Sequence, residues 1–137
     1  KKGMKFHHVG IIVSSINDSL KELTPFLKFE QISIPMKVIS QKVNVCFLRS
    51  GEFNLEFIES IGDDSPVSKF SLKGGGIHHL CFEVDNIYEK LEQMKKEGAT
   101  VVVEPIKGFE NRLTAFVFLN MKNTNCNLIE LATKSQN

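Results

Sequence analysis

Phe6-His7-His8-Val9-Gly10-Ile11-Ile12-Val13 and Ile77-His78-His79-Leu80-Cys81-Phe82-Glu83-Val84 are one eight-residue pattern written twice, 71 positions apart. Each opens on an apolar residue, sets His-His second and third, and closes on Val. The match continues downstream. Ile16 and Leu20 stand over Ile87 and Leu91, and Cys46-Phe47-Leu48 stands over Val117-Phe118-Leu119, at the same spacing. Asn54-Leu55-Glu56-Phe57 falls over Leu128-Ile129-Glu130-Leu131 at a spacing of 74, with three extra residues assigned to the Asn-rich stretch 121–127. Hairpin loops absorb such insertions. Several matched segments in order identify the 137 residues as a duplicated unit.

Each copy reads as βαβββ, so the expected fold class is α+β. Strands are expected over 6–13, 32–39, 43–48 and 53–58, and again over 77–84, 100–103, 114–119 and 127–131, all rich in β-branched and aromatic residues. A helix follows the first strand of each copy. Ile16, Leu20 and Leu23, like Ile87, Leu91 and Met94, sit at i, i+4, i+7 and make one apolar stripe. Ser15 with Asp18, and Asn86 with Glu89, have the spacing of capping boxes. Pro25 and Gly98 suit the helix ends. The units span 4–61 and 77–133, joined by a connector over 62–76 with a short helix from Pro66 to Leu72 behind the Ser65 cap. Gly74-Gly75-Gly76 reads as a hinge, since no Lys-Ser/Thr follows to make a phosphate loop. A unit of this size buries too little surface to stand alone. The two are therefore expected to pack about a pseudo-two-fold as a single domain, residues 1–137, with one curved, incomplete-barrel sheet.

Composition excludes several classes of function. Apolar residues make up 42% and charged residues 24%, which is globular rather than disordered. Seventeen Lys and Arg against sixteen Asp and Glu leave a net charge of +1, so no nucleic acid or anionic membrane is expected as partner. No apolar run reaches the roughly 18–20 residues of a membrane span. Cys46, Cys81 and Cys126 lack CxxC spacing and read as reduced thiols of a cytoplasmic protein.

Strand parity sorts the side chains. Val9, Ile11 and Val13, and likewise Leu80, Phe82 and Val84, face the helices. His8 and His79 point the other way. Leu55 and Phe57, with Ile129 and Leu131, take the helix side of each last strand, which turns Glu56 and Glu130 toward the His face. A carboxylate among Leu, Ile and Phe needs a proton, a cationic partner or a bound cation. Two imidazoles and two carboxylates at matched repeat positions suit a first-row divalent ion in a cleft: cobalt, nickel, manganese or zinc. His8, Glu56, His79 and Glu130 are the candidate ligands. His7 and His78 have the opposite parity and read as structural, as does Cys81. Glu83 shares the parity of His79 and reads either as a carboxylate orienting that imidazole or as structural. Lys107 and Arg112 fall in an expected loop from Glu104 to Leu113, as solvated charges; the sharper alternative is capture of a substrate carboxylate or phosphate.

These residues carry a resemblance. Paired βαβββ units with a His-Glu-His-Glu set look like the vicinal oxygen chelate superfamily, which includes glyoxalase I, extradiol dioxygenases and bleomycin-resistance proteins. Within it the chain is most similar to the methylmalonyl-CoA epimerases. Gly62-Asp63-Asp64-Ser65-Pro66-Val67-Ser68-Lys69-Phe70 resembles their G-x-D-S-P-x-x-K-F stretch. Gly76-Ile77-His78-His79-Leu80-Cys81-Phe82-Glu83-Val84-Asp85-Asn86-Ile87 resembles G-I-H-H-x-x-F-E-V-D-x-I, and Leu128-Ile129-Glu130-Leu131 resembles L-I-E-L. The chain departs from them at Asn120-Met121-Lys122-Asn123, where the family has His-Pro-Lys-Ser, and at Asn125-Cys126, where it has Gly-Gly. It also has no acidic residue between Gln31 and Gly51, where some members place a catalytic base.

The resemblance implies a metal-dependent enzyme that abstracts a proton beside a chelated carbonyl, with Glu56 and Glu130 as base and acid on a 2-substituted malonyl thioester. Two alternatives stay open: isomerisation of a glutathione hemithioacetal, as in glyoxalase I, and metal-free binding of a small molecule, as in bleomycin resistance. A homodimer is implied by the resemblance alone.

Overall fold

In the computed structural model, which describes residues 3–135, the chain divides into two compact units. One comprises residues 8–78. The other joins the described residues before His8 to those after His78. One follows the expected βαβββ order, and the unit 8–78 follows it with its second strand split in two.

In the unit 8–78, β1 (Lys5–Ile12) leads into α1 (Ile16–Leu23), then β2 (Gln31–Ile32), β3 (Met36–Val38), β4 (Val43–Ser50) and β5 (Phe53–Ser60). The hairpin β4–β5 turns tightly at Gly51-Glu52, and β5 lies parallel to β1, with Gly10 opposite Glu56. Strands β2 and β3 both pair with the outer edge of β4. A short helix α2 (Ser68–Leu72) follows. In the other unit, β6 (Gly76–Glu83) leads into α3 (Ile87–Lys96), β7 (Thr100–Lys107), β8 (Leu113–Phe118) and β9 (Leu128–Ala132). Here β9 returns parallel to β6, and β8 and β7 extend the sheet antiparallel.

The helices start where the capping spacing predicts. The Asp18 amide donates to Ser15 Oγ at 3.1 Å, and the Glu89 amide to Asn86 Oδ1 at 3.0 Å. Each cap satisfies a donor that the first turn leaves open. The start of α1 has an added partner that its own sequence does not announce: the Ile16 amide donates to Glu59 Oε1 at 2.7 Å, from the end of β5. The apolar stripes pack as expected. Ile16, Leu20 and Leu23 cover Ile11, Val13, Cys46, Leu48, Leu55 and Phe57. Ile87, Leu91 and Met94 cover Leu80, Phe82, Val84, Ala115, Val117, Ile129 and Leu131.

Four expectations change. The strand over 32–39 is broken into β2 and β3. Pro35 brings no amide to a ladder, and Ser33 closes the gap through its amide to Phe47 O and its Oγ from the Phe47 amide, both at 2.8 Å. The connecting helix begins at Ser68 rather than Pro66, because the Ser68 amide and hydroxyl both bond to Ser65 O and hold 65–68 as a turn. The expected loop from Glu104 shrinks, since β7 runs on to Lys107 through two register shifts that accommodate Pro105. Finally, Phe116 and not Phe118 stands over Phe47, because Phe47 pairs with Glu56 and Phe116 with Glu130. A two-residue slip keeps every side chain on its face, so alternation alone cannot reveal it.

Gly75 fixes the connector to β1. It sits at φ +70°, and a Cβ built on it would lie 2.3 Å from Ile12 O. Gly75→Ala is expected to destabilise by more than about 1 kcal/mol in urea unfolding, since Ala resists positive φ and the opposing atom is backbone. The thiols give a second check. Burial pushes the Cys46 thiol up, only partly offset by the side chain of Ser33, whereas Cys126 is exposed. Titration with a disulfide reagent is expected to modify Cys126 alone in the native protein, and Cys46 and Cys81 only in denaturant.

Candidate metal centre

Each unit contains one buried His–Glu contact, built in the same way. In the unit 8–78, His8 projects from β1 and Glu56 from the neighbouring strand β5, with His8 Nε2 3.2 Å from Glu56 Oε1. Their side chains are 0% and 5% exposed. In the other unit, His79 of β6 and Glu130 of β9 repeat the contact at 3.1 Å, with 2% and 3% exposure. The parity reading holds for both pairs. It is confirmed by the helix-side packing of Leu55 and Phe57 in one unit and Ile129 and Leu131 in the other.

An aromatic ring completes each pair. Phe47 meets the His8 ring edge-on at 5.2 Å and 75°, and Phe116 meets His79 at 5.2 Å and 88°. Phe47 lies across from Glu56 on β4, and Phe116 across from Glu130 on β8. These rings exclude water from one side of each imidazole and limit its rotation. The sequence contained a signal for Phe47: a two-residue turn at Gly51-Glu52 fixes the hairpin register and places it opposite Glu56. On the far side of each carboxylate the neighbour is small, Gly10 for Glu56 and Cys81 for Glu130.

The donor set fits a divalent ion. Two ligand atoms bound at about 2.0–2.2 Å with a near-right angle between them lie about 3 Å apart, which is the separation in each His–Glu pair. Carboxylate oxygens held in a dry site beside imidazole nitrogens are donors that a divalent cation can use. Imidazole nitrogen and carboxylate oxygen together suit zinc, cobalt, nickel or manganese rather than calcium or a soft thiophilic ion.

The remaining candidates have neighbours of their own. His7 lies against the Phe109 ring at 5.1 Å, and His78 meets Phe70 edge-on at 5.3 Å. Cys81 is buried. Arg112 overturns the expectation of a solvated loop charge, being only 7% exposed. Its Nη1 donates to Glu83 Oε2 at 2.6 Å and to Thr133 O at 3.1 Å, and its Nε donates to Glu110 Oε1 at 3.0 Å. The Phe109 ring lies 5.3 Å from the guanidinium carbon. Glu83 is thus engaged by a guanidinium. The sequence hid this because Arg112 stands next to Asn111 and Glu110, a polar run that reads as surface, while both of those residues take positive φ to bring the arginine inward. Asn127 was also overlooked. It is 5% exposed and closes the stretch before β9, accepting from the Met121 amide at 2.7 Å and donating to Thr124 O at 2.9 Å.

Known proteins resemble the chain in both sequence and fold. The model of the glyoxalase/bleomycin resistance protein/dioxygenase superfamily matches residues 7–116. A mitochondrial methylmalonyl-CoA epimerase of Dictyostelium discoideum is 29% identical over 132 residues, covering 95% of this chain and 78% of the relative. An ethylmalonyl-CoA/methylmalonyl-CoA epimerase of Cereibacter sphaeroides is 30% identical over 131 residues, covering 93% and 96%. The crystal structure of the hypothetical protein BH1468 of Bacillus halodurans superposes with a TM-score of 0.87 at 32% identity, covering 99% and 98%. A variant of Streptomyces coelicolor methylmalonyl-CoA epimerase, in complex with 2-nitronate-propionyl-CoA, shares the fold with a TM-score of 0.82 at 21% identity, covering 96% and 95%. Matched by the family model over most of its length, and by relatives that include methylmalonyl-CoA epimerases, this chain belongs to the glyoxalase/bleomycin resistance protein/dioxygenase superfamily.

Proposed function

We propose that the chain acts as a single domain and is a metal-dependent enzyme that moves a proton next to a carbonyl, in the manner of a methylmalonyl-CoA epimerase. In this reading His8 and Glu56 from one unit and His79 and Glu130 from the other hold one divalent ion. The observation that carries it is the doubled, buried His–Glu contact at equivalent repeat positions. The kinship with epimerases supports the choice of substrate, a malonyl thioester with a substituent on its central carbon.

The chemistry follows from the substrate. A proton between a thioester and a carboxylate is acidic only if the negative charge it leaves can be spread onto oxygen. A divalent ion held by these residues would supply a Lewis acid to stabilise that charge. His8 and His79 contribute neutral nitrogen donors and leave the charge of the site to the carboxylates. Glu56 and Glu130, one from each repeat, act on opposite faces of the carbon. One removes a proton and the other returns one, which inversion requires. Phe47 and Phe116 keep water from the imidazoles, and the buried surroundings strengthen the electrostatics of the step.

Metal is the first check. Purified protein is expected to carry or take up one equivalent of a first-row divalent ion, and its melting temperature to rise with added metal because the ion binds only the folded chain. Wash-in of deuterium follows. Metal-loaded protein mixed with methylmalonyl-CoA in D2O is expected to exchange the central proton, and chelator-treated protein to lose that exchange. Glu56→Gln and Glu130→Gln are each expected to slow exchange by about 10²–10⁴-fold, the usual worth of a positioned general base. Full exchange in either metal-loaded variant would remove that residue from the mechanism. Absence of exchange in the loaded wild type would remove the epimerase reading and direct attention to glutathione hemithioacetals.

A further inference from the structure

Beyond the ligands the two halves of the duplication diverge, and one of the differences brings charge to the His79 side. In the unit 8–78, Ile12 lies beside Ile58 on the His8 face, with Val43 and Val45 from β4, all of them buried hydrocarbon. The matching positions of the other unit hold Glu83, Ala132, Arg112 and Thr114. Where one half has apolar side chains, the other has an ion pair between a buried Arg112 and a partly exposed Glu83.

We infer that Arg112 is a positioning residue for His79 and Glu130, an inference that rests on the metal reading above. Its guanidinium bonds at once to Glu83 on β6 and to Thr133 O just past β9, the two strands that carry His79 and Glu130. To do so its side chain crosses β9 from the start of β8, and neighbouring strands lie about 4.8 Å apart. Ala132, fully buried and across from Glu83, leaves the path open. The third contact, to Glu110, and the Phe109 ring beneath hold the guanidinium in place. A planar guanidinium anchored on Glu110 through Nε and Nη2 keeps its Nη1 aimed at Glu83 and Thr133 O, a directional hold that hydrocarbon does not give. Stability gives no reason for the pair, because well-packed apolar residues of similar volume usually serve as well as a buried ion pair, and the first half does so. What the pair adds is a fixed relation between β6 and β9, and the 3.1 Å His79–Glu130 contact depends on that relation.

The test writes the apolar arrangement of the first half into the second with the triple variant Glu83→Ile, Ala132→Ile and Arg112→Val. Urea unfolding reports its fold, and competition with a chromophoric chelator reports zinc and cobalt affinity. A folded variant of near wild-type stability is expected to lose about 10–100-fold in metal affinity, as is usual when the partners of ligands are removed, and to show a shifted cobalt absorption spectrum. Unchanged affinity and spectrum in a folded variant would overturn the inference. Should the triple variant fail to fold, Arg112→Lys keeps the charge but loses the paired Nε and Nη2 contacts with Glu110 that aim it; it is expected to weaken affinity in the same direction, and an unchanged value overturns the inference. If wild-type protein takes up no metal, the metal reading falls. The positioning role is then judged on the metal-free protein by imidazole nitrogen NMR. It stands if Arg112→Lys moves the His79 signals and leaves those of His8, and falls otherwise.

Discussion

The structure turns on a carboxylate held against an imidazole inside apolar strands, and on its occurring twice. Neither Glu56 nor Glu130 reaches the solvent that would ordinarily hydrate it. Each is therefore bound to its histidine, and the parallel pairing of first and last strand in each unit is what brings them together. The rest of the βαβββ order follows as a requirement. A parallel return needs a crossover, and the helix with the intervening strands provides it. The helix then covers the face turned away from the carboxylate, where Leu, Ile and Phe supply the apolar contact that a short chain needs.

Duplication constrains some positions of the two halves and releases others. The imidazole, the carboxylate and the edge-on phenyl ring recur with nearly the same geometry. Their neighbours do not. Gly10 and Cys81, Ile12 and Glu83, and Val43 and Arg112 are chemically unlike, although each couple occupies the same place in the repeat. A repeated contact thus sits in two different surroundings.

Much of this was legible in the sequence. The His-His repeat announced the duplication, the i, i+4, i+7 stripes announced the helices, and strand parity turned His8, Glu56, His79 and Glu130 toward one kind of face. What alternation could not give was register. The repeated Phe-Leu in Val117-Phe118-Leu119 invites a match to Cys46-Phe47-Leu48 that is two residues off, because a shift of two conserves faces. The nine residues between β8 and β9 hide the correct pairing, whereas the two-residue turn between β4 and β5 discloses it. Arg112 was misread for another reason. Its neighbours are polar, and burial of a charge depends on partners far along the chain, Glu83 and the Thr133 carbonyl, which no local pattern displays.

The unlike layers of the two halves respond to temperature in opposite senses. Contact among Ile12, Ile58, Val43 and Val45 depends on the hydrophobic effect, which weakens on cooling. The Arg112–Glu83 pair carries a dehydration cost that falls on heating, because charged groups lose hydration free energy as the temperature rises. The layer beside His8 thus loosens on cooling, and the Arg112–Glu83 contact beside His79 is the one that heat favours. Two copies of one unit have acquired, in this one layer, contacts of unlike temperature dependence.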